Sequence, residues 1–171
     1  MEKYVAFGLF FYGVVSMLYQ WVCRQKQRQN RVEMFVIFLQ KSLYAMENER
    51  MRLIPYLMEY QGGDAVLTET LREIGGRLGQ NEYPHGEMVW EEVFLEKKEQ
   101  WNCDEETFLL LLNAGYGFFS GSRNVNMCFL QKSIRELELQ LRKRKEKDAQ
   151  ERKVWLPLGM LGSMMFLILF I

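Results

Sequence analysis

Histidine is nearly absent from this chain: His85 is the only one, in a loop between Pro84 and Gly86. A single imidazole excludes a di-metal site built from paired Glu-x-x-His repeats. Cysteine is scarce too. Cys23, Cys103 and Cys128 have no C-x-x-C spacing, and three thiols in a body read as cytoplasmic point to reduced cysteines, not to disulfides or zinc. Cys103 lies at an expected helix start, which lowers a thiol pKa, but no histidine lies near it in sequence to act as its base. A phosphate loop is missing as well. "GYGFFSG" (Gly115–Gly121) has suggestive glycines but no preceding strand and no Gly-Lys-Ser/Thr, so its glycines read as sites of close helix contact. Strand-like alternation is absent throughout. The residues therefore offer no catalytic, cofactor-binding or metal-binding site, and the fold class reads as all-α.

Charge is absent from two long runs near the ends. Tyr4–Cys23 is a 20-residue run whose only strongly polar member is Gln20, and the 18 residues from Val154 to Ile171 carry no charge. At about 1.5 Å per residue the second run makes a helix of roughly 27 Å, close to the hydrocarbon thickness of a bilayer. A core helix would keep a polar stripe, and this run has none. A secretory signal fits the first run poorly, because no small-x-small cleavage site follows it. Tyr4, Tyr19, Trp21 and Trp155 sit near the run ends, as interfacial aromatics do. The expected organisation is an N-terminal transmembrane helix (1–23), a cytoplasmic helical bundle (24–153) and a C-terminal transmembrane helix (154–171).

What is present is charge of both signs, unevenly placed. Lys and Arg number 22, as do Asp and Glu. Arg24, Lys26, Arg28 and Arg31 follow the first run without an acid among them. "RKRKEKDAQERK" (Arg142–Lys153) precedes the second with seven bases and three acids. Bases beside spans face the cytoplasm, so both termini are expected outside and the middle inside. These collars would also meet anionic membrane lipid. Between them, residues 32–141 hold 10 bases and 18 acids, a net charge of −8. That excludes nucleic-acid binding, which needs a basic footprint. Nine of the acids fall in Glu82–Glu106, either as a solvated surface or as a docking face for a basic partner.

The middle reads as a five- to six-helix bundle. Nothing breaks the chain between Tyr4 and Arg50, so the first span is expected to run on into a helix with Phe35, Phe38, Leu39, Leu43 and Met46 inward. Pro55 opens a short segment that Gly62 and Gly63 close. Asp64 is expected to cap a helix through Leu78, with Val66, Leu67, Leu71, Ile74 and Leu78 inward and its last turn weakened by Gly75 and Gly76. Gly79–Gly86 is a loop. Glu87–Trp101 is one amphipathic helix presenting Trp90, Val93, Phe94 and Trp101 to the core. Asn102 and Glu105 make a capping box for a helix holding "FLLLL" (Phe108–Leu112), expected as the most buried element. Ser122 caps the last helix, with Leu130, Ile134, Leu137 and Leu141 in a stripe, and Pro157 kinks or restarts it. In the terminal run, Gly159, Gly162 and Ser163 form a small-residue face that permits close helix contact. The pattern leaves open whether that contact is within the chain or between copies in a homo-oligomer.

With "IPYL" (Ile54–Leu57), "GEMVWEEVF" (Gly86–Phe94), "IRELELQ" (Ile134–Gln140) and "KVWLPLGMLGSMMFLILFI" (Lys153–Ile171) following one another between two apolar ends, the chain resembles the stage III sporulation protein AB family over nearly its whole length. The tail "KVWLPLGMLGSMMFLILFI" is similar to the family's ending, with Leu158, Gly159, Leu161 and Gly162 matching and Ser163 in place of a usual Gly. "IPYL" (Ile54–Leu57) resembles a Leu-Pro-x-x-Leu turn, "GEMVWEEVF" (Gly86–Phe94) a Gly…Ala-Trp segment, and "IRELELQ" (Ile134–Gln140) the family's last soluble helix. A departure falls in "SGSRNVNM" (Ser120–Met127), where Arg123 and Met127 occupy positions that are polar in the family.

The resemblance implies a fold like one cytoplasmic domain of the type II secretion F protein. It also implies a non-enzymatic platform in the channel between mother cell and forespore, in the outer forespore membrane. Its implied partners are a secretion-type ATPase and other channel membrane proteins. On that view Glu87, Glu91 and Glu92 are expected to face the motor, and a contact at Arg123 would differ from the family's. Two alternatives come from other classes: a membrane-anchored scaffold that dimerises through its spans without a motor, and a membrane-bound enzyme using Cys103, His85 and glutamates.

Overall fold

The computed structural model describes residues 2–48, 52–80 and 85–170. Side chains are described from Tyr12 to Met165 within those ranges, except for Val14, Arg152, Trp155, Leu156, Met160, Ser163 and Met164. Among the described residues there are eight helices and no strand: α1 (Glu2–Asn48), α2 (Leu53–Glu59), α3 (Ala65–Gly79), α4 (Gly86–Glu96), α5 (Lys98–Trp101), α6 (Glu105–Asn113), α7 (Tyr116–Phe119) and α8 (Arg123–Phe170). The all-α reading holds, but eight helices replace the expected five or six. Two short ones, α5 and α7, interrupt stretches read as continuous.

The chain divides into two compact units, residues 28–141 and residues 1–27 with 142–171. The first is the bundle. Its centre is aromatic. The Phe35 ring lies edge-on to Trp101 (5.8 Å between centroids, 88°) and to Phe94 (6.0 Å, 79°). Phe94 in turn stacks on Trp90 at 4.9 Å and on Trp101 at 5.1 Å. All five of Phe35, Phe38, Trp90, Phe94 and Trp101 are essentially without solvent exposure, and each such side chain contributes about 1.5–3 kcal/mol of burial. The stripe Leu130, Ile134 and Leu137 of α8 closes the same core.

Helix ends follow the side chains available. The Asp64 carboxylate accepts the Leu67 backbone N–H at 3.0 Å and caps α3 as expected. The expected capping box at Asn102 does not form. Asn102 instead ends α5 with a left-handed backbone (φ 47°), and Asp104 caps α6 by accepting from the Thr107 N–H at 3.3 Å. A carboxylate one residue before the first turn outcompetes Asn102, whose tolerance of left-handed geometry suits a helix end. The break between α4 and α5 falls at Lys97 (φ −97°, ψ 10°). Helical spacing puts residue 97 on the same inward stripe as Trp90, Val93, Phe94 and Trp101. A buried ammonium there needs carboxylates, and Lys97 Nζ reaches Glu69 at 2.9 Å and Glu73 at 3.0 Å.

The expectation that Phe108–Leu112 forms the most buried element is overturned. Phe108 and Leu111 are buried, but Leu109 is 50% exposed and Leu110 and Leu112 are only partly covered. The helix lies on the flank of the aromatic centre and turns one side outward.

Within the other unit, a Cβ placed on Gly159 would stand 3.3 Å from Leu18 Cδ1, so this glycine packs against α1 of its own chain. Among the described residues nothing lies within 4 Å of such a Cβ on Gly162; Ser163 lies outside the described side chains. The helix α8 continues through Pro157, so of the two outcomes expected there, a kink or a restart, the restart does not occur. Among the described residues no helix is long and apolar enough to cross a membrane. In the apolar runs Tyr4–Cys23 and Val154–Ile171, nine of 20 and 11 of 18 residues respectively have side chains outside the description.

Candidate functional site

Four acids of α4 separate into two pairs, each one turn apart. Glu92 and Glu96 turn towards α3, where Arg77 takes both: Nη2 to Glu96 Oε2 at 2.5 Å and Nη1 to Glu92 Oε2 at 3.7 Å. Arg77 also holds Glu73 on its own helix at 2.6 Å. Hydrogen bonding to Glu96, then to Glu73, raises the Arg77 pKa against the opposing effect of desolvation. At Glu73, desolvation pushes the carboxyl up, but hydrogen bonds from Lys97 and Arg77 and their charges outweigh it and hold the pKa below 4.5. The Arg77–Glu73–Lys97 network thus fastens α3 to α4 and to the α4–α5 break.

Glu87 and Glu91 face elsewhere. Their side chains make no ion pair or hydrogen bond among the described residues, and they line a cavity of about 140 Å³ between α4, α6 and α7. Its floor is Trp90 and Gly115. Its far wall is Leu109, Leu112, Asn113 and Tyr116. Leu109 and Tyr116 are 50% and 46% exposed, so the cavity opens on a partly apolar surface.

Local sequence builds this floor. The Gly115 N–H bonds to the Leu112 carbonyl at 3.0 Å and leaves the Leu111 carbonyl without that helical donor. The Trp90 indole Nε1 supplies one, donating to Leu111 O at 3.2 Å. The indole approaches so closely that a Cβ on residue 115 would stand 2.6 Å from Trp90 Cδ1. Glycine is required there for contact, as the sequence indicated; Gly121 departs from that reading, with no described atom within 4 Å of a Cβ and a positive φ of 134° instead. Gly117 resembles Gly115, since its Cβ would meet Leu130 Cδ2 at 2.6 Å.

The expected site residues are therefore divided. Glu87 and Glu91 share one opening, whereas Glu92 is held by Arg77. Arg123 lies away from them: its Nη2 donates to the Glu47 carbonyl at 2.8 Å, satisfying the last turn of α1. Asn113, Leu109 and Tyr116 were not singled out from sequence. The only signal for them was the excess of leucines in α6 beyond what one buried face needs.

His85 occupies the N-cap position of α4 without a side-chain capping bond. Cys103 sits between the last residue of α5's cap and Asp104. None of the cysteines is in a disulfide, and among the described residues no three His, Cys, Asp or Glu side chains are grouped to hold a metal.

Comparison with known families gives one finding. Residues 3–171 match the family described as Stage III sporulation protein AB. No curated protein matches, and no solved structure matches.

Proposed function

The chain belongs to the stage III sporulation protein AB family, and from that premise we propose that it is a membrane platform that couples a cytoplasmic secretion-type ATPase to the sporulation channel. Membership itself implies a role in that channel, at the forespore-associated membrane. The finer reading is carried by the family match across residues 3–171, taken with the charge pattern of the chain.

In this reading the apolar runs at 4–23 and 154–171 span the membrane. Their length, lack of charge and flanking bases support it. The bundle is compatible: α1 and α8 run antiparallel within residues 28–141, tied by Gln40 Nε2 donating to Glu138 at 3.0 Å and by Arg123 donating to Glu47 O. Residues 28 and 141 therefore leave the bundle at the same end, as two spans of one membrane require. The motor-facing surface is the opening lined by Glu87 and Glu91. No residue is assigned a catalytic role.

The test is co-expression with a secretion-type ATPase of the sporulation channel, followed by capture of the full chain in detergent. Capture is expected, and Glu87→Lys with Glu91→Lys should abolish it. Equal capture by the double variant refutes the surface, and no capture by the native chain refutes the coupling. A fluorescent reporter that lights only in the cytoplasm, fused to either terminus, should stay dark. Light from it would overturn the topology.

A second reading, a scaffold that associates through its spans without a motor, draws on Gly162, beside which nothing lies among the described residues. Cross-linking between copies that is lost in Gly162→Leu would favour it.

A further inference from the structure

We propose that the α1–α8 helix pair binds the headgroups of anionic phospholipid at the level of Arg24 and Lys153; that this level lies at a membrane surface rests on the spans proposed above. Residues 1–27 and 142–171 form one compact unit, in which Gly159 of α8 packs against Leu18 of α1. The α1 segment leads into residue 28 and the α8 segment leads away from residue 141, each as an unbroken helix, so the two are antiparallel. Arg24 is six residues on from Leu18, and Lys153 is six residues back from Gly159. Both therefore stand about 9 Å from that contact in the same direction, at one level of the pair.

The exposed surface of each helix changes character at this level. Towards the chain ends it is apolar apart from Gln20: Met17, Tyr19 and Trp21 of α1 and Val154 and Leu158 of α8 are exposed. On the other side it is basic. Arg24 and Lys26 of α1 and Arg142, Lys143, Lys147 and Lys153 of α8 are exposed, and none of these six is in an ion pair among the described residues. Far apart in sequence, the two changes become one boundary when the helices pair.

The ligand's chemistry follows from that boundary. Residues 24–27 and 142–153 hold nine bases and three acids, a net charge of +6, which selects an anion. Guanidinium and ammonium groups bind phosphate oxygens through charge-assisted hydrogen bonds. Inorganic phosphate or a nucleic acid would leave the adjoining Trp21, Val154 and Leu158 surface in water. A phospholipid carries phosphate and hydrocarbon in one molecule, in the order this surface presents them, and Tyr19 and Trp21 suit the zone between. Zwitterionic lipid brings an ammonium with its phosphate, and the bases repel it. A lipid whose phosphate is its only charge is preferred, held by bases from both helices.

The experiment uses the full chain reconstituted in bilayers of phosphatidylcholine and phosphatidylglycerol. Tryptophan quenching by each lipid, brominated in its acyl chains, gives their relative binding. A preference for phosphatidylglycerol of about fivefold or more is expected at low salt, and about 1 M salt should remove most of it. Arg24→Gln with Lys26→Gln should lower the preference, as should Lys143→Gln with Lys147→Gln and Lys153→Gln. The two sets combined should abolish it with unchanged helical circular dichroism. Lys41→Gln with Lys132→Gln, on the bundle surface, should leave it intact. Native preference in the combined variant, loss confined to one helix's set, or equal loss in the bundle variant would overturn the proposal. So would abolition by inorganic phosphate at constant ionic strength, which would assign the site to the free ion. A chain that enters neither bilayer removes the spans and this site together, whereas entry without preference removes only the site.

Discussion

Arg31 Nε donates to both carboxylate oxygens of Asp64, at 3.1 Å each, and the same carboxylate accepts the Leu67 N–H that begins α3. Both side chains are largely covered, at 16% and 13% exposure. The Arg31 guanidinium also donates to the carbonyls of Gln100 and Trp101, so one residue of α1 gathers the start of α3 and the end of α5.

Asp64→Ala is accordingly expected to destabilise the bundle by about 2–3 kcal/mol, roughly 1 from the lost cap and the rest from the unpaired arginine. Asp64→Asn keeps a capping oxygen and should lose clearly less. Thermal unfolding of both variants measures the difference; equal losses would contradict the division.

Gly115→Ala should destabilise by about 1–3 kcal/mol, because its Cβ would meet the fixed indole of Trp90. Gly75→Ala is a contrast. Its Cβ would meet Met58 Cγ at 2.8 Å and, less tightly, Leu57 Cβ at 3.3 Å; Met58 is 46% exposed and able to move, so the strain is smaller than against the Trp90 ring. Helix propensity offsets that cost by about 1 kcal/mol. The two melting temperatures should differ in the order Gly115→Ala below Gly75→Ala, with altered tryptophan fluorescence only in the former.

Acid should loosen the α3–α4 seam. The Glu73 pKa is lowered in the folded state, so its contribution is present above 4.5 and is lost as pH falls through the lower folded value. Lys97 acts in the opposite range: burial lowers its pKa, but hydrogen bonds to Glu69 and Glu73 raise it above 10.5 overall, so its contribution fades as pH rises past that point. Glu73→Gln should flatten the acid limb of a stability–pH curve relative to native protein, and a parallel limb would refute the assignment.

The two acid pairs of α4 should respond oppositely to charge reversal. Glu92→Lys removes a pair with Arg77 and places like charges together, costing about 0.5–1 kcal/mol at this exposed position. Glu91→Lys, by contrast, relieves repulsion with Glu87 and creates a favourable Glu-to-Lys pair one turn apart, while leaving the acid in the first turn of α4 in place, and should leave the melting temperature unchanged or raised.

Much of this fold was written locally. Asp64 ahead of the Leu67–Leu71–Ile74 spacing announced α3, and the unbroken stretch up to Arg50 announced α1. Lys97 was harder, because a lysine on a buried stripe looks like a solvated one until Glu69 and Glu73 are seen across from it. The leucines of Phe108–Leu112 misled for the same reason: apolarity on all sides does not say which side another helix covers. The pairs Glu87/Glu91 and Glu92/Glu96 were visible as i, i+4 couples. Which couple is neutralised depends on Arg77, which comes from another helix.

The antiparallel course of α1 and α8 also has a mechanical meaning. Tension applied through residues 28 and 141 would act at one end of the bundle and peel the two helices apart rung by rung. Such a load breaks contacts singly, as in opening a zipper, and never shears the whole seam at once. A protein strung this way yields to small forces and re-closes readily, and single-molecule pulling at those two points should record a low, gradual unfolding force.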